Sequence, residues 1–191
     1  MKSLIAASAI EHRDVDKGVM LESYIAAMAE GRNEAVAGLF QETKAAVYGF
    51  SLSILKNMQD AEDVLQDTYI QIFRASGNYQ PNGNPMPWIF TITRNLALMK
   101  LRERKRIQST PEESWEWPDD GSPITAEDKL VLSAAMETLS EEERQITMLH
   151  AVAGFKHREI ADILELPLPT VLSKYHRALR KLRIRLKESE K

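Results

Sequence analysis

The sequence contains no cysteine, which excludes disulfides and thiolate metal sites and fits a reducing compartment. Its 191 residues include only eight glycines, and none of them lies in a glycine-rich phosphate loop. No apolar run approaches the length that a membrane span requires. The opening LIAASAI run is too short for a signal-peptide core, and acidic residues follow it directly. We therefore expect a cytoplasmic protein without membrane insertion.

Histidine is also scarce. The four histidines are scattered along the chain, at positions 12, 150, 157 and 176. Without cysteine or a phosphate loop beside them, they form no constellation that would predict a catalytic site, a metal site or a cofactor. The sequence therefore predicts a protein that is not an enzyme.

The charge is unevenly distributed, although the formal net charge is only −3. Residues 94–106 hold six Lys or Arg against one Glu, and residues 107–144 hold eleven acids against two basic residues. The last helical stretch is basic again. Two basic patches that flank an acidic connector are typical of a nucleic-acid-binding protein, for which the distribution of charge matters more than its sum.

The stretch from Leu139 to Leu186 has the pattern of a DNA-binding helix-turn-helix. Ser140 and Glu143 have the spacing of a capping box, which predicts the start of a helix. A second helix is predicted over His157–Leu164. The short segment Glu165–Pro167 separates it from the last helix, so the two helices must cross steeply.

The last helix has an apolar stripe and an opposite basic face. The stripe consists of Leu168, Val171, Leu172, Tyr175, Ala178, Leu179, Leu182 and Leu186. The opposite face carries Thr170, Ser173, Lys174, Arg177, Arg180 and Lys181, and Pro169 lies in the first turn, where its missing N–H costs nothing. Such a face can neutralise phosphates and reach base edges. The solvated face of an ordinary amphipathic helix has the same composition, so the pattern leaves both interpretations open.

The first 106 residues predict a helical domain of their own. Residues 1–20 are interpreted as an N-terminal tail, either disordered or a fraying helix. Helices are predicted over 21–29, 34–55, 60–74 and 88–106, with Asp60 as the N-cap of the third. The segment Ala75–Pro87 breaks the helical pattern with Gly and Pro and is long enough to carry a function. Trp88 is expected in the core rather than as a platform for a base.

Between the two halves the composition changes. Residues 107–125 are rich in Pro, Ser, Glu and Asp, which predicts an acidic, flexible linker. Trp115 and Trp117 are unusual in a plain spacer and suggest that the linker packs against a surface. The expected fold is all-α, with a helical domain over 21–106 and a helix-turn-helix domain over 126–191.

Three stretches in this order are typical of one protein family: DAEDVLQDTYIQIF, PWIFTITRNLALMKLRERKR and LSEEERQITMLHAVAGFKHREIADILELPLPTV. They resemble bacterial RNA polymerase sigma factors of the extracytoplasmic-function (ECF) group in the sigma-70 family. The resemblance covers roughly residues 21–186. It implies a sigma factor that binds core RNA polymerase, directs it to specific promoters and assists promoter opening. It also implies two further partners, promoter DNA and an anti-sigma factor.

The resemblance implies three sites by position. The helix over 60–74 would dock on core polymerase through Asp63, Gln66, Asp67, Ile70 and Arg74, the first three of which match the family's D-x-x-Q-[ED] pattern. The downstream promoter element and the melting DNA would be bound through Asn78, Tyr79, Gln80, Asn82, Asn84, Trp88, Arg94, Asn95, Lys100, Arg102 and Arg104. The upstream promoter element would be bound through Arg158, Pro169, Thr170, Ser173, Lys174, His176, Arg177 and Lys181.

The chain departs from the family pattern at three places. Glu165 stands where the family usually has Gly, and a left-handed conformation there would cost Glu about 1 kcal/mol or more. Leu172 stands where a basic residue is common. The loop from Asn78 to Met86 lacks the usual Arg-Gly character, so its base preference does not transfer from the family.

One other function fits part of the sequence. A free-standing helix-turn-helix regulator would use the C-terminal domain for DNA and the N-terminal half as a sensor or dimerisation module. The acidic face of the helix over 60–74 and the basic end of the helix over 88–106 argue against it, because a sensor needs neither.

Overall fold

The structure, a computed structural model, describes residues 2–107 and 134–189. The described chain is helical and contains no strand. Its helices are α1 (Lys2–Ala29), α2 (Ala35–Leu55), α3 (Met58–Ala75), α4 (Met86–Ile107), α5 (Glu141–Ala151), α6 (His157–Leu164) and α7 (Leu168–Ser189), with a 3-10 turn at Ser76–Asn78 and helical residues at 134–137. The predicted linker, with Trp115 and Trp117, lies outside the described residues.

Helix α1 extends beyond its predicted start. It runs through the predicted boundary at residue 20, so at least the end of the predicted tail belongs to the helical domain. Leu21, Ile25 and Met28 are spaced at i, i+4 and i+7 and are each at most 2% exposed. Gly18, one turn before Leu21, is buried as well. The predicted helix start at Leu21 was wrong, because Gly18 and the charged residues around it hide the helical period.

The start of α3 also differs from its prediction. The helix begins at Met58, and its N-cap is Asn57 rather than Asp60. The Asn57 side chain accepts a hydrogen bond from the backbone N–H of Asp60 at 2.7 Å. Asn and Asp are comparable N-caps, so the sequence contained two acceptable signals and the earlier one is used.

The N-terminal domain packs α1 to α4 around one apolar core. The inner face of α3 faces this core: Ala61, Val64, Thr68, Tyr69 and Ile72 are buried, and Leu65 and Phe73 are half-buried. From α4, Ile89 and Phe90 enter the same core, and neither is exposed. This core holds α3 and α4 side by side, with the remaining face of each turned outward.

The C-terminal domain contains the helix-turn-helix, formed by α6 and α7 against α5. The predicted capping box is present: the Ser140 side chain accepts from the Glu143 N–H at 3.3 Å, and the Glu143 side chain accepts from the Ser140 N–H at 2.9 Å. Helix α6 has the predicted bounds. In α7, Val171 and Ala178 are fully buried, whereas the outer members of the predicted stripe are exposed, namely Leu172, Leu179 and Leu186.

The two domains pack directly against each other. Helix α5 lies on α2, and α6 lies on α4. The rings of Phe90 and Phe155 meet edge-on at 4.9 Å across this interface. The guanidinium of Arg144, only 3% exposed, donates from Nε to the carbonyl of Ser53 at 2.8 Å. The buried apolar residues of both domains therefore form one continuous cluster.

Candidate protein and nucleic-acid interfaces

The outer face of α3 carries the residues predicted to bind a protein. Asp63, Gln66, Asp67, Ile70 and Arg74 are all exposed, and 48% of Ile70 is accessible. Beside Ile70 lies an apolar cleft of about 290 Å³, lined by Asn33, Val36, Tyr69, Ile70, Phe73 and Arg74. An exposed isoleucine at the rim of an apolar cleft, with polar residues around it, is suited to a protein partner.

Asp63 differs from its neighbours because it is already paired. The Lys100 ammonium lies 2.8 Å from Asp63 Oδ2 and 3.6 Å from Asp60 Oδ1. The hydrogen bond to Asp63 raises the pKa of Lys100, against the opposing effect of burial. Arg104 lies 3.3 Å from Asp60. Two of the predicted DNA-binding cations of α4 are thus held by the acids of α3.

A stripe of exposed residues runs along the outer side of α4. Thr91, Asn95, Met99, Arg102 and Arg106 follow one another at helical spacing, and all are exposed. Asn95 and Arg102 are therefore accessible to a nucleic acid, as their predicted role requires. The basic end of α4 thus has two parts, one that joins α4 to α3 and one that faces outward.

Arg94 points in a third direction, toward the helix-turn-helix. Its guanidinium donates to the carbonyl oxygen of Leu164 at 3.3 Å and lies 3.9 Å from the carboxylate of Glu165. Its side chain is 19% exposed. In this arrangement the last turn of α6 contacts Arg94, one of the residues of α4 that the family resemblance assigns to DNA.

Glu22 holds the loop between the 3-10 turn and α4, although no sequence pattern indicated a role for this residue. Oε1 of Glu22, on α1, accepts hydrogen bonds from the backbone N–H groups of Asn82 and Gly83, each at 2.8 Å, and from the Tyr79 hydroxyl at 2.9 Å. Burial opposes ionisation of Glu22, but these three donors hold its pKa below the usual value. Because Glu22 lies about sixty residues before the loop, no local sequence pattern predicts the contact.

The side chains of the loop extend from the backbone that Glu22 holds. The Tyr79 ring packs against Trp88 at 4.8 Å, and both are half-buried. The backbone N–H of Asn84 donates to Oδ1 of Asn82 at 3.0 Å. Asn78, Gln80, Asn82 and Asn84 are exposed, so the predicted loop residues are accessible. The amide nitrogen of Asn84 donates to Glu159 of α6 at 3.0 Å.

The turn of the helix-turn-helix has the usual left-handed geometry, although Glu165 stands where the family usually has Gly. Glu165 adopts the left-handed conformation, with φ 56° and ψ 41°. The turn closes with a hydrogen bond from the Leu166 N–H to the Ala161 carbonyl at 3.0 Å. Pro169 lies in the first turn of α7, as predicted. The exposed surface of the motif includes Arg158, Ser173, His176 and Arg177, with Thr170 half-buried beside them.

Two predicted DNA-binding lysines of α7 are paired with α5. Lys174 forms an ion pair with Glu142. Lys181 lies 2.6 Å from Glu143, whose side chain is only 4% exposed. Burial raises the pKa of Glu143, but Lys181 and the Ser140 N–H outweigh that effect and leave it lowered. Lys181 therefore supports the capping box, and Arg177 is the more accessible cation for a phosphate.

Histidines that are separated in the sequence lie close together in the folded C-terminal domain. The His150 and His157 rings lie 4.4 Å apart, and each contacts Tyr175, at 4.7 and 4.8 Å respectively. Burial lowers the pKa of His157, and the nearby His150 and His176 lower it further. Within the described chain no group of histidine and acidic side chains has the arrangement of a metal site.

Comparison with known proteins identifies both domains. Residues 39–107 match the family model for sigma-70 region 2, and residues 129–182 match the one for sigma-70 region 4. The chain is 37% identical over 144 residues to the ECF RNA polymerase sigma factor SigE of Mycolicibacterium smegmatis, which covers 72% of this chain but 56% of that protein. It is 30% identical over 159 residues to the ECF RNA polymerase sigma factor SigL of Mycobacterium tuberculosis, covering 78% of this chain and 88% of the relative.

A solved structure shares the arrangement of helices. It is the co-crystal structure of the sigma factor RpoE in complex with the anti-sigma factor NepR from Bartonella quintana. The likeness has a TM-score of 0.65 and 25% sequence identity, and it covers 77% of this chain and 95% of that one. None of the helices in the described part of the chain is both long and apolar enough to cross a membrane.

Proposed function

The chain belongs to the sigma-70 family of RNA polymerase sigma factors, in its ECF group, and we propose from this that it binds core RNA polymerase and directs it to specific promoters. Its partners are then the core enzyme and promoter DNA, and its action is to select and open the duplex rather than to catalyse a reaction. Because core polymerase works in the bacterial cytoplasm, the proposed location is cytoplasmic.

One observation supports this function most strongly. The chain presents an exposed acidic and apolar face on α3, which suits a protein partner, and a basic, exposed helix-turn-helix on α6 and α7. A free-standing regulator would need the second surface but not the first. A subunit that brings a large enzyme to DNA needs both.

Polymerase docking is assigned to the outer face of α3. Gln66, Asp67, Ile70 and Arg74 are exposed on this face, and Ile70 and Arg74 also line the apolar cleft. A partner could cover the aliphatic side chain there and meet a charge of each sign. Asp63 contributes less directly, because its carboxylate is engaged by Lys100. Replacing Asp63 would therefore disturb the contact between α3 and α4 as well as the docking face.

DNA contacts are assigned to three places. The beginning of α7 would enter the major groove at the upstream element, with Ser173 and Arg177 toward the bases and phosphates. The loop over 79–85 would hold a base extruded from the downstream element, since extrusion costs a few kcal/mol and needs a structured pocket to offset it. The outward stripe of α4, with Asn95 and Arg102, would follow the separated strand.

An anti-sigma factor is proposed as a further partner. The RpoE structure to which this chain is similar is a complex with an anti-sigma factor. The apolar cleft beside Ile70 and the exposed stripe of α4 are the surfaces that an inhibitor would have to cover to prevent docking and DNA binding.

The test is binding to bacterial core polymerase with a charge reversal on α3. Asp67→Lys is expected to weaken co-elution with core polymerase at least tenfold, because it reverses a charge in the centre of the docking face without removing a described intramolecular pair. Transcription from a promoter library should fall in parallel. Both are measured by gel filtration and run-off transcription with reconstituted holoenzyme.

The matched control is Glu42→Lys, which makes the same charge change at an exposed position of α2. It should leave core binding unchanged. If Asp67→Lys binds core polymerase as wild type does, the docking face is wrongly assigned. If wild-type protein fails to bind core polymerase but still binds duplex DNA, the chain acts as a free-standing regulator instead.

A further inference from the structure

Helix α1 is the part of the N-terminal domain to which the sequence assigned no function. The proposed base-binding loop is hydrogen-bonded to this helix as well as packed against α4. Three donors of the loop, the Tyr79 hydroxyl and the N–H groups of Asn82 and Gly83, converge on one oxygen of Glu22. A carboxylate that accepts two adjacent backbone N–H groups fixes the orientation of the peptide unit between them.

A second, independent observation concerns Gly18, one turn before Glu22. A Cβ at position 18 would lie 2.0 Å from the carbonyl oxygen of Gly83 and 3.2 Å from its carbonyl carbon. Only glycine permits the loop backbone to lie this close to the helix. Gly83 itself has φ 83°, a left-handed conformation that glycine adopts without strain.

Both contacts act on the same short piece of backbone. The chain turns at Gly83, and the next residue, Asn84, presents its amide nitrogen away from the domain, where it donates to Glu159. The carboxamide oxygen of Asn84 accepts from the Met86 N–H at 3.3 Å, which leads into α4. The position of the Asn84 donor therefore depends on how α1 holds Asn82 and Gly83.

We propose that Glu22 and Gly18 are positioning residues for recognition of the downstream promoter element. They hold the loop in one conformation before DNA arrives, so that the carboxamide donors of the loop meet the extruded base without a further ordering cost. Neither residue touches DNA. The inference rests on the proposed function, because it assumes that this loop binds a promoter base.

The experiment measures base discrimination by reconstituted holoenzyme. Run-off transcription from a promoter library randomised at the downstream element gives the preference of wild type for each base. Glu22→Ala is expected to lower the preference at the loop-contacted position on the order of tenfold, the discrimination that one well-placed base contact supplies. Glu22→Gln, which keeps an acceptor oxygen, should retain part of the preference. Core binding, measured by co-elution, and preference at the upstream element should not change.

Gly18→Ala is a second variant, which should perturb the same loop through a different contact. It should reduce discrimination at the same position, since the added methyl group displaces the Gly83 carbonyl. The matched control is Glu30→Ala, which removes an acid directly after α1 that pairs with Arg32 at 2.6 Å, and it should behave as wild type.

The outcomes separate this inference from the proposed function. If wild-type holoenzyme shows no preference at the downstream element, the assignment of the loop itself fails. If wild type shows a preference and Glu22→Ala and Gly18→Ala keep it, only the positioning role is overturned. A loss of core binding together with the loss of preference would also overturn it, because Glu22 would then serve the stability of the whole domain.

Discussion

Glu165 shows how a single residue is held in an unfavourable conformation. Its left-handed backbone is required by the turn between α6 and α7, where the Leu166 N–H returns to the Ala161 carbonyl. A left-handed conformation costs a non-glycine residue roughly 1–2 kcal/mol. Its carboxylate is 78% exposed and lies 3.9 Å from Arg94, so that ion pair offsets little of the cost.

Replacing this residue by glycine is therefore expected to stabilise the protein. Glu165→Gly should raise the free energy of unfolding by about 1 kcal/mol, because glycine adopts the left-handed conformation without the Cβ penalty. Urea denaturation followed by circular dichroism measures the change. Glu165→Ala is the control, since it removes the carboxylate but keeps the penalty. Equal stability of the two variants would show that the backbone conformation is not the source of the effect.

At the scale of helices, the sequence predicted most of the fold. The bounds of α2 and α6 agree with their predictions within one residue, because Gly31 and Pro167 mark clear ends and the apolar period is strong between them. Three starts were wrong. Helix α4 begins at Met86 rather than at Trp88, because Pro87 is compatible with the first turn of a helix. In α3 the residue Asn57 competes with Asp60 as a cap, and in α1 the glycine at position 18 interrupts the apolar pattern.

The packing of helices brings together residues that no helical pattern connects. His150 of α5, His157 of α6 and Tyr175 of α7 form one ring cluster, although the sequence analysis treated the histidines as scattered. Nε2 of His157 is buried and has no hydrogen-bond partner among the described residues. A proton added there would create a charge beside His150 and His176 with nothing to offset it.

The cluster predicts a pH dependence of stability. Since the folded-state pKa of His157 lies below its ordinary value of 6.5, the unfolded chain binds the proton first as the pH falls. The contribution of His157 to the free energy of unfolding should therefore decrease as the pH falls from 6.5 toward the folded-state pKa, and this contribution should be constant above that range. His157→Gln should reduce this slope in urea denaturation across the window. A slope unchanged by the substitution would mean that another group is responsible.

At the scale of the whole molecule, the contacts between domains could not be predicted from the sequence. Arg144 meets the carbonyl of Ser53, and Arg94 meets the carbonyl of Leu164, across separations of 91 and 70 residues. The sequence does not show which backbone carbonyl accepts a hydrogen bond from a side chain. A buried arginine in an amphipathic helix also has the same sequence pattern as an exposed one. The predicted site residues Arg94 and Asn84 were identified by family resemblance alone, which did not show that both side chains contact α6.

These contacts between α6 and the N-terminal domain have a consequence for DNA binding. Glu159 accepts from the Asn84 amide at 3.0 Å, and Glu165 lies beside Arg94, so two acidic groups occupy positions where the proposed function places a base and a phosphate. If the proposed function is right, a promoter strand that binds Asn84 and Arg94 would have to displace both carboxylates. The packing of the two domains would then compete with binding at the downstream element.

Weakening these two contacts should favour DNA. Glu159→Gln combined with Glu165→Gln is expected to raise the affinity for a single-stranded downstream element by about 2- to 10-fold, since an exposed ion pair and a hydrogen bond each contribute roughly 0.2–1.5 kcal/mol. Gln at position 159 keeps an acceptor for the Lys156 N–H, which the carboxylate binds at 2.8 Å, so the start of α6 is preserved. Fluorescence anisotropy with a labelled oligonucleotide measures the change. The control, Glu141→Gln with Asp162→Asn, removes two acids from the same domain at exposed positions. An equal gain in the control would attribute the effect to net charge rather than to release of Asn84 and Arg94.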